Sequence, residues 1–258
     1  VRTSITAGPR LAITLLTVIP LRAGPADRTT AGRAMTLAPA AGLAVGAVAA
    51  VVLVAGDRAG LGHLTAAALA VVSMALMTRA LHLDGLADIA DGLGSARPAA
   101  EALAIMKRSD IGPFGVVALV LTLLVQVAAL AQASGHRHGA AAVMIAAVTG
   151  RLAVTWACRE GVPAARPDGL GALVAGSVRT PAAAVVTALV LAAAALSGAA
   201  SAGIRGAVVA TFSVIAGLTV AAGMRWHTTR RLGGITGDVL GALVELGSTA
   251  ALIVLAVL

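Results

Sequence analysis

Tyrosine is absent from this chain, and Phe114, Phe212, Trp156 and Trp226 are its only aromatic residues. The interfacial belt of Trp and Tyr that marks many membrane proteins is therefore missing, which leaves Arg and Lys to define the membrane boundaries. Cysteine occurs once, at Cys158, which excludes an intrachain disulfide and a cysteine-based metal site. Acidic residues are scarce, eleven in 258. Also absent are a Walker-type glycine-rich loop ending in Lys-Ser/Thr, a His-Glu-x-x-His zinc helix and a Gly-x-Ser-x-Gly elbow.

What fills the chain is apolar: 59% of its residues are hydrophobic. Apolar runs of about 20 residues recur, long enough at 1.5 Å per residue to cross a hydrocarbon core of about 30 Å. The pattern predicts an all-α, polytopic integral membrane bundle forming a single catalytic domain over residues 1–258. Its seven spans are expected near 36–56, 61–80, 112–133, 139–158, 181–201, 204–224 and 238–258. The shorter run Leu11–Leu21 ends at Pro20 and reads as a re-entrant or interfacial segment; Arg2 and Arg10 precede it as in a signal peptide, but no convincing cleavage site follows. Abundant Ala and Gly favour close helix packing.

The net charge of +8 could indicate nucleic acid, but its distribution argues against that. Outside the spans, fifteen basic residues fall on one side and three (Arg58, Arg137, Arg205) on the other, with Arg151 inside the fourth span. The fifteen include Arg2, Arg10, Arg22, Arg28 and Arg33 before the first span. By the positive-inside rule the N-terminus is cytoplasmic, in the cell membrane. Apart from Asp57 the acids lie on that same side, or about two turns into a span from it for Glu245. Acids contribute little to topology, so their clustering asks for a chemical reason. Carboxylates for a metal beside basic residues for an anion suit a phosphate-bearing substrate.

Three of the eleven acids fall within eight positions: Asp84, Asp88 and Asp91, in His82-Leu83-Asp84-Gly85-Leu86-Ala87-Asp88-Ile89-Ala90-Asp91-Gly92. Spacings of four and seven put them on one helical face. At about 6 Å and an effective dielectric near 20, each pair repels by about 3 kcal/mol. Either their pKa values rise or a cation sits among them, and a hard divalent ion such as Mg²⁺ suits carboxylate oxygens and substrate phosphates. This segment can continue the second span, with Gly92 and Gly94 ending it. His82 adjoins the cluster and could orient a ligand or shuttle a proton. Further along, Lys107, Arg108 and Ser109 precede a Gly-Pro-Phe-Gly turn; the two bases are either membrane anchors or phosphate ligands. Arg230 and Arg231 are further candidates for phosphate.

The last span opens with Gly233-Gly234-Ile235-Thr236-Gly237-Asp238. Asp238 reads as a helix N-cap, a role that does not exclude metal binding. Glu245 lies on the same face, about 10 Å deeper. An ionisable residue inside a span is a functional candidate, and Arg151 is its expected partner, in a substrate-binding or purely structural pair. His63, His136 and His138 read as ordinary loop and helix-end residues.

Three stretches together resemble the cobalamin synthase family, the adenosylcobinamide-GDP ribazoletransferases. They are His82–Leu93, Met106-Lys107-x-Ser109-x-Ile111-Gly112-Pro113-Phe114-Gly115, and Gly233-Gly234-x-Thr236-Gly237-Asp238-x-Leu240-Gly241-Ala242. Weaker similarities cover Leu16–Pro20, Pro39–Gly46 and Ala165–Gly171, so the likeness spans most of the chain. It implies a membrane enzyme that joins α-ribazole or its 5′-phosphate to adenosylcobinamide-GDP, releasing GMP and requiring Mg²⁺. It also implies that Asp84, Asp88 and Asp91 form a metal cluster joined by Asp238, with Asp88 or Asp91 taking the proton of the attacking hydroxyl. One departure from the family pattern is the order Arg108-Ser109-Asp110, acid and base being exchanged around the serine. The sequence leaves open whether the chain self-associates or joins other corrinoid-pathway enzymes. Two rival readings are a CDP-alcohol phosphotransferase, whose motif continues with Arg after Asp-Gly-x-x-Ala where Asp88 stands here, and an ion-coupled transporter, which needs polar chemistry on both faces.

Overall fold

The structure, a computed structural model, describes residues 6–21 and 27–258; Arg2 and Arg22 of the charge count lie outside the described residues. The described residues form helices without strands. In order these are α1 (Ala7–Leu16), α2 (Arg28–Thr36), α3 (Ala38–Arg58), α4 (His63–Met77), α5 (Leu81–Gly94), α6 (Ala99–Ile105), α7 (Pro113–Gly135), α8 (Gly139–Ala157), α9 (Gly169–Val174), α10 (Thr180–Leu232) and α11 (Gly237–Leu255). By length and composition α3, α7, α8, α10 and α11 can cross a membrane. Their outward faces carry a belt of large apolar side chains, among them Val51, Leu121, Leu124, Leu189, Leu196 and Phe212. This is a polytopic membrane bundle.

At 53 residues α10 would be about 80 Å long if continuous. It is broken at Ala202 (φ −144°) and Gly203 (φ +61°, ψ −148°), the second a conformation that only glycine adopts readily. Gly198 and Gly206 then meet backbone to backbone, so closely that a methyl on either would collide with the other's carbonyl. Eight residues apart in a straight helix they would be about 12 Å distant. The chain therefore reverses here, and α10 supplies two spans, as the periodicity predicts.

The predicted continuation of the second span into the aspartate segment is corrected. α4 stops after 15 residues, about 22 Å. Arg79 and Ala80 then take left-handed backbone conformations (φ +52° and +55°), and α5 leaves at 89° to α4. A left-handed non-glycine residue costs about 1–2 kcal/mol, so surrounding contacts must hold this bend. One of them is the Val18 amide, which donates to the Met77 carbonyl at 2.7 Å. α5 is thus not an extension of the second span. It lies across the end of the bundle where α7 and α11 begin. The ten-residue α1, about 15 Å long, is too short to span, in keeping with an interfacial segment.

Inside a bilayer, burying apolar surface against a neighbour gains little over lipid, so close packing must hold the helices. Small residues provide it. Gly42 of α3 lies against the backbone of Ala147 and Val148 of α8, and Gly217 of α10 against the Gly247 carbonyl of α11. Gly150 of α8 faces Val244 and Ser248 of α11. The turn at residues 202–203 is the most easily tested feature of this topology. Cys158 is fully buried, so Ile204→Cys and Arg231→Cys should each be labelled by an impermeant maleimide without background, and from opposite sides of sealed vesicles. Labelling of both from one side would contradict the hairpin.

Candidate functional site

The site is built where α5 crosses the start of α11. Two glycines set the spacing. A Cβ on Gly85 would lie 2.6 Å from the Asp238 carbonyl oxygen, and one on Gly241 would lie 3.1 Å from the His82 Cα. With no side chain between them, the helices approach closely enough to bring the α5 carboxylates beside Asp238. Thr236 is the N-cap of α11, its hydroxyl accepting from the Val239 amide at 3.2 Å. The capping role expected of Asp238 thus falls to Thr236, and Asp238 faces the cluster instead.

Asp84 is exposed, Asp88 half-buried and Asp91 buried, so the single face seen in the sequence is graded in depth. Asp91 is fully engaged: its carboxylate accepts from the Gly112 amide at 2.7 Å and the Gly115 amide at 2.9 Å. Both donors belong to the start of α7, where the helix dipole favours a negative charge. Gly115 leaves room for this contact, since a Cβ there would press on the Asp91 carboxylate. Asp91 therefore ties α5 to α7. Asp88 has its pKa pushed up to about 7, first by desolvation, then by Asp238, Asp84 and Asp91 in that order. The residue 150 positions away thus acts on it more strongly than either of the two on the same helix.

Arg166 closes the site and was not singled out from the sequence, where it counted only toward the charge topology and a weak motif. Pro163 and Ala165 pair with Ile235 through two backbone hydrogen bonds of 2.9 and 3.0 Å, and Gly234 leaves no room for a Cβ against that loop. This pairing holds Arg166 with one Nη 3.6 Å from the Asp238 carboxylate and the other donating to the Leu103 carbonyl at 2.7 Å. A basic residue followed by proline in a glycine-rich loop is the one signal that marked it.

Asp88 and Asp91 line a cleft of about 310 Å³ with Ser95, Arg108 and Asp110. Of the predicted phosphate ligands, Arg108 lines the cleft. Arg108 makes a two-pronged pair with Asp110, at 2.9 and 2.8 Å, so the exchanged order around Ser109 forms a local ion pair. Lys107 lies 3.8 Å from Asp168. Both pairs are exposed, and such pairs contribute about 0–1 kcal/mol, so either cation can exchange its partner for a phosphate. Ser109 is exposed. Arg230 is exposed and stacks on Trp226, 4.8 Å from the ring centre, and Arg231 donates to the Arg97 carbonyl at 3.3 Å.

Three other candidates lie apart from this cleft. His82 is buried, with Nδ1 3.3 Å from an Nη of Arg151. A guanidinium only donates, so Nδ1 accepts and the ring proton is on Nε2. Two residues from Asp84 on a helix, His82 points about 200° away from it. The expected Arg151–Glu245 ion pair is corrected: no salt bridge joins them among the described residues. Glu245 instead accepts from the Gln126 amide at 2.8 Å. The cause is register, because Gly150 packs on Val244 and Ser248 and turns Glu245 toward α7. Arg151 is 1% exposed and attracts Glu245 only at longer range.

Among the described residues no three carboxylate or histidine side chains close into a metal cage. The donors present are nevertheless hard oxygens, and Asp84, Asp88 and Asp238 repel one another. That arrangement fits a magnesium ion held by one or two carboxylates and completed by water and phosphate oxygens.

An all-helical membrane bundle with a carboxylate cleft at one end, flanked by Arg166 and two loosely paired cations, defines the class. The chain belongs to the cobalamin-5-phosphate synthase family, whose model matches residues 8–256. It is 47% identical to an adenosylcobinamide-GDP ribazoletransferase of Frankia casuarinae, over 96% of this chain and 93% of that one. It is 41% identical to a protein of the same name from Nocardioides sp., over 95% and 96%, and 38% identical to one from Bradyrhizobium diazoefficiens, over 98% and 94%. No solved structure matches it.

Because Asp88 holds a proton below about pH 7, a divalent cation entering the cluster must displace it. Magnesium affinity measured by calorimetry should therefore fall as pH drops below about 7, approaching tenfold per pH unit. Asp88→Asn should flatten the profile. Affinity that is unchanged between about pH 6 and 8 would contradict the assignment.

Proposed function

We propose that this chain joins α-ribazole, or its 5′-phosphate, to adenosylcobinamide-GDP with release of GMP, the step that assembles the nucleotide loop of a cobalamin. Membership of the family and the shared name of its relatives support the reading. The observation that carries it is the convergence of Asp84 and Asp88 with Asp238 and Arg166 from distant parts of the chain. A diphosphate needs opposite charge at its oxygens and a base at the attacking hydroxyl, and this cleft has groups suited to both tasks.

Asp84, Asp88 and Asp238 are the residues that would hold magnesium, which supplies neutralisation of the diphosphate charge. Arg166, fixed by the Leu103 carbonyl, is placed to meet phosphate oxygens that approach Asp238. Lys107 and Arg108 leave their weak partners for the outer phosphate. A ribose hydroxyl of ribazole attacks the corrinoid-side phosphorus, its proton passes to a carboxylate, and GMP departs. The Asp88 pKa, pushed up to about 7 in the metal-free cluster, would fall once Asp88 held the ion, so the carboxylate that takes the proton is one the ion leaves free. Asp91, with both oxygens engaged by the start of α7, positions α5 instead. The distribution of basic residues supports a cytoplasmic face for this end of the bundle and the cell membrane as its location.

Purified protein given magnesium, adenosylcobinamide-GDP and α-ribazole phosphate should release GMP and form a cobalamin product. Arg166→Ala should lower kcat/KM about 100-fold or more, with Arg166→Lys recovering part of it. Turnover of a CDP-activated lipid without GMP release would overturn the reading.

A further inference from the structure

A second cleft shares no lining residue with the carboxylate site. It measures about 650 Å³ and is lined by Arg28, Arg33 and Arg179 with Thr29 and Ser177. Helix alternation puts it at the same end of the bundle, where α3, α7, α10 and α11 all begin. Arg28 is partly engaged, donating to the Ala175 carbonyl at 2.5 Å. The side chains of Arg33 and Arg179 make no hydrogen bond or ion pair among the described residues. The nearby acids are occupied: Asp27 accepts from the Thr30 amide at 2.7 Å and attracts Arg33 only at longer range, and Glu160 accepts from the Thr180 amide at 3.3 Å. The cleft is therefore positive and short of anions.

It does not end there. Thr36 and Leu37 line both this cleft and an apolar groove of about 380 Å³ between α3, α8 and α10. The groove follows α10 from Val186 to Ser197 and opens past Leu43 and Leu189, which are 51% and 65% exposed on the lipid-facing side. From Arg179 to Ser197 the joined cavity runs about 27 Å along the helix, room for an extended acyl chain below a headgroup. A soluble phosphate would use the arginines and leave the groove unexplained; a neutral lipid would use the groove and leave the arginines without a counter-charge.

We propose that this joined cavity binds an anionic glycerophospholipid, its phosphate between Arg33 and Arg179 and an acyl chain in the groove between α3, α8 and α10. Basic clefts between membrane helices at headgroup level suit such lipids, and the long apolar tail adds affinity by burial. The assignment is independent of the reaction at the carboxylate site, since the two cavities have no residue in common.

Native mass spectrometry of the full chain in detergent, with phosphatidylglycerol or phosphatidylcholine added, tests it. Wild-type protein should retain phosphatidylglycerol in preference to phosphatidylcholine. Arg33→Gln with Arg179→Gln should reduce that preference about tenfold or more. Ala193→Phe, which fills the groove and keeps the arginines, should weaken phosphatidylglycerol retention as well, so the result does not rest on one variant folding. Equal retention of the two lipids by wild type would overturn the proposal. So would an unchanged preference in the double arginine variant, unchanged phosphatidylglycerol retention in Ala193→Phe, or displacement of phosphatidylglycerol by inorganic phosphate, which would make the cleft a soluble-phosphate site.

Discussion

The crossing of α5 over the start of α11 is the constraint on which the rest of the site hangs. Gly85 and Gly241 let two backbones touch where any side chain would hold them apart. Without that approach Asp84 and Asp88 would form an isolated acidic face, and Asp238 would be an ordinary first-turn acid. With it, three carboxylates from two helices gather at one end of the bundle, where a mutual repulsion of roughly several kcal/mol suits the charge of a cation. Two supports fix the angle of the crossing. Asp91 pins the far end of α5 to the amides that open α7, and the left-handed pair Arg79–Ala80 turns the chain into α5 at the near end.

The charges divide into two roles set by depth. Arg151, His82, Glu245 and Gln126 are linked within the bundle by hydrogen bonds and longer-range attraction. In a low-dielectric interior such groups persist only if each finds partners, and this set ties α5, α7, α8 and α11 to one another behind the crossing. The exposed cations are the reverse case. Lys107 and Arg108 are held by exposed acids that release them at little cost, which suits groups that must meet a substrate and let it go. Arg166 lies between these extremes, anchored on one side by a carbonyl and presented on the other to Asp238.

Much of this was legible in the sequence. The spans follow from apolar runs of bilayer length, and even the hairpin within α10 was marked, because two runs met at Ser201–Ile204 with Gly203 between them. The aspartate face of α5 follows from helical spacing alone. What composition and periodicity could not supply was rotation and register. The break after Met77 has no proline or glycine to announce it; two non-glycine residues in the left-handed region make the turn. Glu245 and Arg151 have opposite charges at plausible depths, yet the packing of Gly150 on Val244 and Ser248 turns the acid toward Gln126. His82 lies near Asp84 in sequence and on the far side of the helix in space. Arg166 was hidden because its place depends on backbone pairing between two irregular loops, at Pro163–Ala165 and Ile235, for which single-chain patterns have no code.

On the proposed reading Asp88 and Asp238 are two halves of one cation site, although they lie in different helices 150 residues apart. A double-mutant cycle on manganese binding, followed by electron paramagnetic resonance with Asp88→Asn, Asp238→Asn and the pair, tests that claim most directly. If the carboxylates share an ion, either single change removes most of the affinity and the second adds little, a coupling of about 1 kcal/mol or more. Purely additive losses, with each single variant retaining its own measurable site, would show that the crossing brings the carboxylates together without making them one site.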